Sequence, residues 1–170
     1  CHIGTFSLGA AILGAEVIAI DGSRKNIDLL RASIARNDIH HVQVIHGAVG
    51  GKSGATSFVE AGAWGHISAQ AGSSQQIVPM LAIDDLVDET GWKHIDMVKL
   101  DIEGSEFPAF KGMKNLLSRP DAPILVTVAQ EYFRHVCSPC SMPVLSSIPN
   151  PSSRASQDQL PFVWFGLTLP

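Results

Sequence analysis

Charge is scarce in this chain: only 16% of its 170 residues are Asp, Glu, Lys or Arg, and the twelve Lys and Arg form no dense run. With a formal net charge of −4 and a pI near 5.9, there is no broad basic surface for nucleic acid or for an anionic membrane. Cysteine is equally sparse. Three residues, Cys1, Cys137 and Cys140, do not make a disulfide framework. No apolar run is long enough to span a bilayer. No charged segment precedes the first apolar residues, so no signal peptide is visible and a cytoplasmic location is expected. No internal repeat occurs.

What remains is a globular composition, 45% hydrophobic, at a length that suits one compact domain. The first ~130 residues alternate between helical and extended signals. Residues Thr5 to Leu13 predict a short helix closed by Gly14, and Glu16 to Ile20 a β-branched strand ended by Asp21-Gly22-Ser23. Ser23 caps a helix in which Ile27, Leu30 and Ile34 recur at helical spacing, and Val42 to Ile45 is the next strand. Two such alternations favour a parallel sheet with helical crossovers.

Ala55 to Glu60 predicts a hairpin arm, residues 61 to 76 an exposed loop, and Ile77 to Ile83 a strand that Pro79 confines to an edge. Asp84 or Asp85 caps the short helix carrying Leu86 and Val87. Met97 to Leu100 is the strongest strand, followed by a helix from Ser105 to Leu117 with Phe107, Phe110, Met113 and Leu117 on one face. Ile124 to Val128 is a further buried strand. The expected division is an α/β domain over 1–133 and a Pro/Ser-rich, poorly ordered tail over 134–170. Phe162 to Phe165 lies within that tail as an apolar stretch without a visible partner.

Ligands of open α/β sheets bind at the carboxyl ends of the strands. Here those ends are Asp21, His46-Gly47-Ala48 and Asp101, joined by Cys1-His2-Ile3-Gly4 ahead of the first helix. Asp21 is placed either to accept bonds from the two hydroxyls of a ribose or to serve as a turn and cap residue. The block Val98-Lys99-Leu100-Asp101-Ile102-Glu103-Gly104-Ser105-Glu106 is more specific, with three carboxylates at a strand-to-helix junction. In an extended chain Asp101 and Glu103 point the same way. Such a pair can hold a cation, orient a positively charged cofactor or keep one proton for acid–base work; alternatively, Glu103 and Glu106 simply favour the positive helix N-terminus.

The runs VIAIDGSRKNIDLLRASIARN, VQVIHGAVGGKSG, LAIDDLV and IDMVKLDIEGSEFPAFKGMKNLL together resemble the FkbM family of methyltransferases over roughly residues 1–125. The resemblance implies an α/β, Rossmann-like class I methyltransferase sheet with helices on both faces, and S-adenosylmethionine as cofactor. It implies that Gly4 lies beside the methionine part of the cofactor, Asp21 at the ribose, and Ala48 and Val49 along the adenine. Asp101 would stand near the reacting methyl, with Glu103 in the same signature, and either carboxylate would take the acceptor's proton. The acceptor implied is a small-molecule or carbohydrate hydroxyl. The family's first strand and the Asp-x-Gly after it have no counterpart here, which would leave two open edges mid-sheet. A nicotinamide-dependent oxidoreductase and an inactive or partner-dependent fragment are the alternative readings.

Other signals are thinner. Cys137-Ser138-Pro139-Cys140 falls short of the four ligands of a structural zinc site, so no metal is expected. His46 stands at a strand end and His66 in a loop with Trp64, which either meets a substrate or anchors that loop.

Overall fold

In the computed structural model, residues 1–62, 65–68 and 75–127 are described in full, and 161–165 as backbone. The elements run α1 (Thr5–Ile12), β1 (Glu16–Asp21), α2 (Arg24–Arg36), β2 (Val42–His46), β3 (Ala48–Val49), β4 (Gly54–Val59), β5 (His66–Ile67) and β6 (Gln75–Leu81). They continue with α3 (Ile83–Thr90), β7 (Met97–Leu100), α4 (Glu106–Lys111), α5 (Lys114–Leu117), β8 (Ile124–Thr127) and β9 (Pro161–Phe165).

The larger sheet has the order β2-β1-β9-β7-β8, parallel throughout. A parallel sheet is covered on both faces, and β1 carries the continuous apolar run this demands. Its alternation deals side chains to two layers. Ile18 and Ile20 join Val98 and Leu100 of β7 and pack on Ile83, Leu86 and Val87 of α3, with Ala109, Met113 and Leu116 beyond. Val17 and Ala19 face the other way, onto Ala11 of α1 and Ile27 and Leu30 of α2. A second sheet, β3-β6-β4-β5, stands beside the first and has its own small core of Ala48, Phe58 and Val78.

The centre of the larger sheet corrects the sequence expectation. Residues 161–165 fall in the predicted tail, yet they form β9 and pair in parallel on both sides, Val163 with Ile18 and with Val98. Phe-Val-Trp-Phe is a run of strong β formers, and Pro161 sits at the first strand position, where a missing N–H costs least. The two mid-sheet edges expected to be open are therefore both paired. Residues 63–64, 69–74, 128–160 and 166–170 lie outside the described residues. With them fall Trp64, the end of the strand predicted to reach Val128, the rest of the predicted tail and the Cys137/Cys140 pair.

Four smaller differences have physical causes. Part of the loop predicted over 61–76 is strand, because Phe58 and Val59 pair with Ile67 and His66, and Gln75 and Gln76 extend β6. β6 lies inside the second sheet rather than at an edge: Pro79 pairs with Ala55 of β4 and its carbonyl packs against Gly47 just before β3, which pairs with Met80 and Leu81. The helix predicted over Ser105–Leu117 is split into α4 and α5. The break falls at Met113, which leaves helical geometry at φ −126°, just after Gly112, where a Cβ would overlap the carbonyl of Gly50. Of the four residues predicted on one face of that helix, Met113 is buried and Phe107 is exposed beneath the Lys111 ammonium.

Candidate functional site

β1 and β7 flank β9, and the carboxylates at their ends, Asp21 as the last residue of β1 and Asp101 just past β7, are both buried. Together with Ala48, Val49, Phe58 and His66 they line one cleft at the carboxyl ends of the parallel strands. The parallel topology is what gathers them: each strand returns in the same direction, so each strand end faces the same crevice.

Asp21 is the most heavily bonded side chain of the cleft. Its Oδ2 accepts from the His2 amide at 2.6 Å and from the Cys1 nitrogen at 2.9 Å. Its Oδ1 accepts from the Ser23 amide at 2.8 Å and from Asn26 Nδ2 at 3.2 Å. Four donors match the lone-pair capacity of a carboxylate. Both alternatives left open by the sequence bear on this residue, and the turn-anchoring one is directly visible. A ribose hydroxyl reaching Asp21 must replace one of these donors.

Asp101 is held differently. Lys99, two residues earlier on the same face of the chain, places Nζ 3.2 Å from Asp101 Oδ2, and both side chains are almost buried. Among the described residues no hydrogen-bond partner engages Oδ1 of Asp101. Past Asp101 the chain is no longer extended. Glu103 takes φ 50° and Gly104 φ 88°, a left-handed turn that breaks the alternation predicted to aim Asp101 and Glu103 together. Ile102 and Ser105 line the cleft after Asp101, whereas Glu103 is not among its lining residues. Glu106 is buried and accepts from the Ile102 amide at 3.1 Å, which fixes the same turn from the helix side.

Gly4 also stands apart from the lining. It caps α1 with φ 96°, and a Cβ there would collide with Leu30 of α2. Its glycine identity is thus fixed by backbone conformation and by close packing of α1 on α2.

The residues that sequence reasoning missed are on the second sheet. Glu60 accepts from the Ser23 hydroxyl at 2.5 Å and from Gln76 Nε2 at 3.2 Å, and Gln76 Nε2 also donates to the Gly22 carbonyl at 2.9 Å. His46 Nε2 lies 3.0 Å from the same carbonyl, as donor. The Asp21-Gly22-Ser23 turn is thereby tied to β2, β4 and β6 at once. Ser23 Oγ meanwhile accepts from the Asn26 amide, the predicted cap of α2. Long-range polar pairs of this kind leave no local sequence pattern.

At the opposite end of the strands, His94 bridges two carboxylates, Asp121 at 3.1 Å and Asp96 at 3.1 Å. Hydrogen bonds donated to Asp121 and then to Asp96 hold the His94 imidazolium above its usual range, and the bond to Asp121 holds that carboxyl below the usual carboxylate range. This cluster lies at the amino ends of β7 and β8, away from the cleft. Among the described residues no group of His, Cys, Asp or Glu is arranged to hold a metal ion. No helix among them is long and apolar enough to cross a membrane.

The cleft combines a strand-end carboxylate at Asp21, an apolar wall at Ala48 and Val49, and a second carboxylate at Asp101. Its free volume is about 40 Å³, and it is partly open to solvent. A family model described as the methyltransferase FkbM domain matches residues 2–138, and the chain belongs to that family. No curated protein and no solved structure matches it.

Proposed function

From that membership we propose that the chain is an S-adenosylmethionine-dependent methyltransferase whose acceptor is a hydroxyl of a sugar or small molecule. The observation that carries this reading is the convergence of Asp21, Ala48, Val49 and Asp101 on one cleft at the strand ends. Asp21 binds the ribose hydroxyls, exchanging the His2 amide or the Cys1 nitrogen for them at Oδ2. Ala48 and Val49 give the adenine an apolar wall. Gly4 keeps the turn before α1 close to the methionine part, as the family pattern implies.

When bound, S-adenosylmethionine supplies a methyl group already activated on a sulfonium, so the protein contributes mainly position and water exclusion. Asp101 is the best-placed acceptor for the hydroxyl proton, since Lys99 fixes one carboxylate oxygen and no described residue engages the other. Glu103, on the strained turn beside it, is the second carboxylate of the pair and serves the same step if that turn rearranges.

Calorimetry on the full chain tests the reading. S-adenosylmethionine and S-adenosylhomocysteine should both give heat, weakened by Asp21→Ala in protein shown to be folded. A folded chain that gives no heat with either ligand would refute it.

A further inference from the structure

Among the residues lining the cleft is one large apolar side chain seated against the turn after Asp21, that of Phe58. It projects from β4, is 6% exposed, and lines the cleft together with Asp21 and Ala48. A Cβ built on Gly22 would lie 2.5 Å from Phe58 Cδ2 and Cε2, and one on Gly65 would lie 2.7 Å from Cζ. The ring is therefore seated directly on the peptide that follows Asp21, and only glycine fits beneath it. A nucleoside whose ribose reaches Asp21 and whose base lies along Ala48 and Val49 needs this same volume. The cavity left beside the ring, about 40 Å³, is far below the ~300–1,000 Å³ of ordinary ligand pockets.

We propose that Phe58 is an internal occupant of the base-binding half of the cleft, and that a purine ring enters only when the Phe58 side chain leaves its seat on Gly22. The inference rests on the nucleoside cofactor of the proposed function and adds the residue that regulates access to it. The side chain moves rather than the strand. β4 is held along its length by the ladder to β6, from Gly54 with Met80 to Val59 with Gln75. Glu60, just past its end, is bonded to both Ser23 and Gln76. Moving the ring also takes it out of the small core it forms with Ala48 and Val78, a cost that keeps the open state a minor one. Because the competent state is then a minor one, the apparent affinity is reduced by its population.

The test is calorimetric titration of S-adenosylhomocysteine into the full chain and into Phe58→Ala and Phe58→Leu, each checked by thermal melting. Removing the occupant should tighten binding about tenfold in Phe58→Ala, with a smaller gain in Phe58→Leu. Equal or weaker binding in Phe58→Ala overturns the proposal, because a ring that merely walls or stacks on the base would be missed. If Phe58→Ala does not fold, the wild-type chain decides. The nuclear Overhauser contact between the Phe58 ring and Gly22 should vanish on ligand addition, and its persistence in the complex overturns the proposal. Heat in the wild type without a gain in the variants sinks this inference alone. No heat in any of them sinks the proposed function, and this inference with it.

Discussion

The His2 amide donates to Asp21 Oδ2 at 2.6 Å, across nineteen positions of sequence, and so ties the start of the chain to the end of β1. The same carboxylate organises the turn into α2 through Ser23 and Asn26. One buried side chain thus joins two segments that each approach the cleft. Its removal leaves several buried donors without a partner, and each such donor costs about 1–3 kcal/mol.

Asp21→Ala should therefore lower stability by several such increments, about 3 kcal/mol or more, and Asp21→Asn by less because one oxygen remains an acceptor. Urea unfolding monitored by far-UV circular dichroism measures both. A loss in Asp21→Ala no larger than that of an ordinary surface substitution would contradict the saturated geometry.

The strand Pro161–Phe165 should protect its neighbours. In hydrogen exchange, a chain lacking 161–165 should lose protection at Val17 to Ile20 and at Val98 and Lys99, the residues β9 pairs with. Amides of β4 and β6, which pair with each other in the second sheet, should change far less. Uniform loss over both sheets would mean that β9 supports the whole fold rather than its two partners.

His94 makes a pH-dependent contribution whose sign follows from the direction of its shift. Its folded pKa is raised above 6.5, so the stabilisation is fully present below that value and is lost as pH rises through the raised one. Asp121 is lowered from 3.8, so its share is present above 3.8 and is lost as pH falls through the lowered value. Thermal melting of wild type and His94→Gln should show the largest gap between those two ordinary values. The gap should close as pH rises past the raised histidine value. A gap that persists unchanged in alkali would contradict the bridge.

Asp84 caps a helix other than its own. Its two oxygens accept from the Asn115 and Leu116 amides at 2.9 Å each, at the start of α5, while α3 begins with no side-chain cap. Asp84→Ala should cost about 1–2 kcal/mol and loosen α5 rather than α3. Amide exchange rates at Leu116 and Leu117 against those at Val87 and Asp88 separate the two cases.

Much of this was legible in the sequence because it depends on local pattern. The β-branched run of β1, Ser23 as the cap of α2, and the order of strand and helix through α2 and β2 all follow from short-range spacing. The gathering of Asp21, Ala48 and Asp101 was legible through topology, since parallel strands deliver their carboxyl ends to one side, whereas Val49 entered only through the family resemblance. Three features were not. β9 pairs with strands roughly 60 and 145 residues away, and its register depends on edges that no local pattern reveals. The left-handed turn at Glu103 replaces the extended chain on which the Asp101–Glu103 alignment relied. Phe58 reads as one more inward residue of a hairpin, and its seat on Gly22 exists only once two sheets are docked.

The central claim is that the strand-end cleft of Asp21 and Asp101 is where the cofactor binds. Amide chemical-shift mapping of the full chain on titration with S-adenosylhomocysteine tests it most directly. The account predicts saturable shifts at Gly22, Ala48, Val49 and Ile102, with Trp92 and His94 at the opposite end of the strands unmoved. Shifts centred on that opposite end, or saturable binding that leaves Gly22 and Ile102 unchanged, would contradict it.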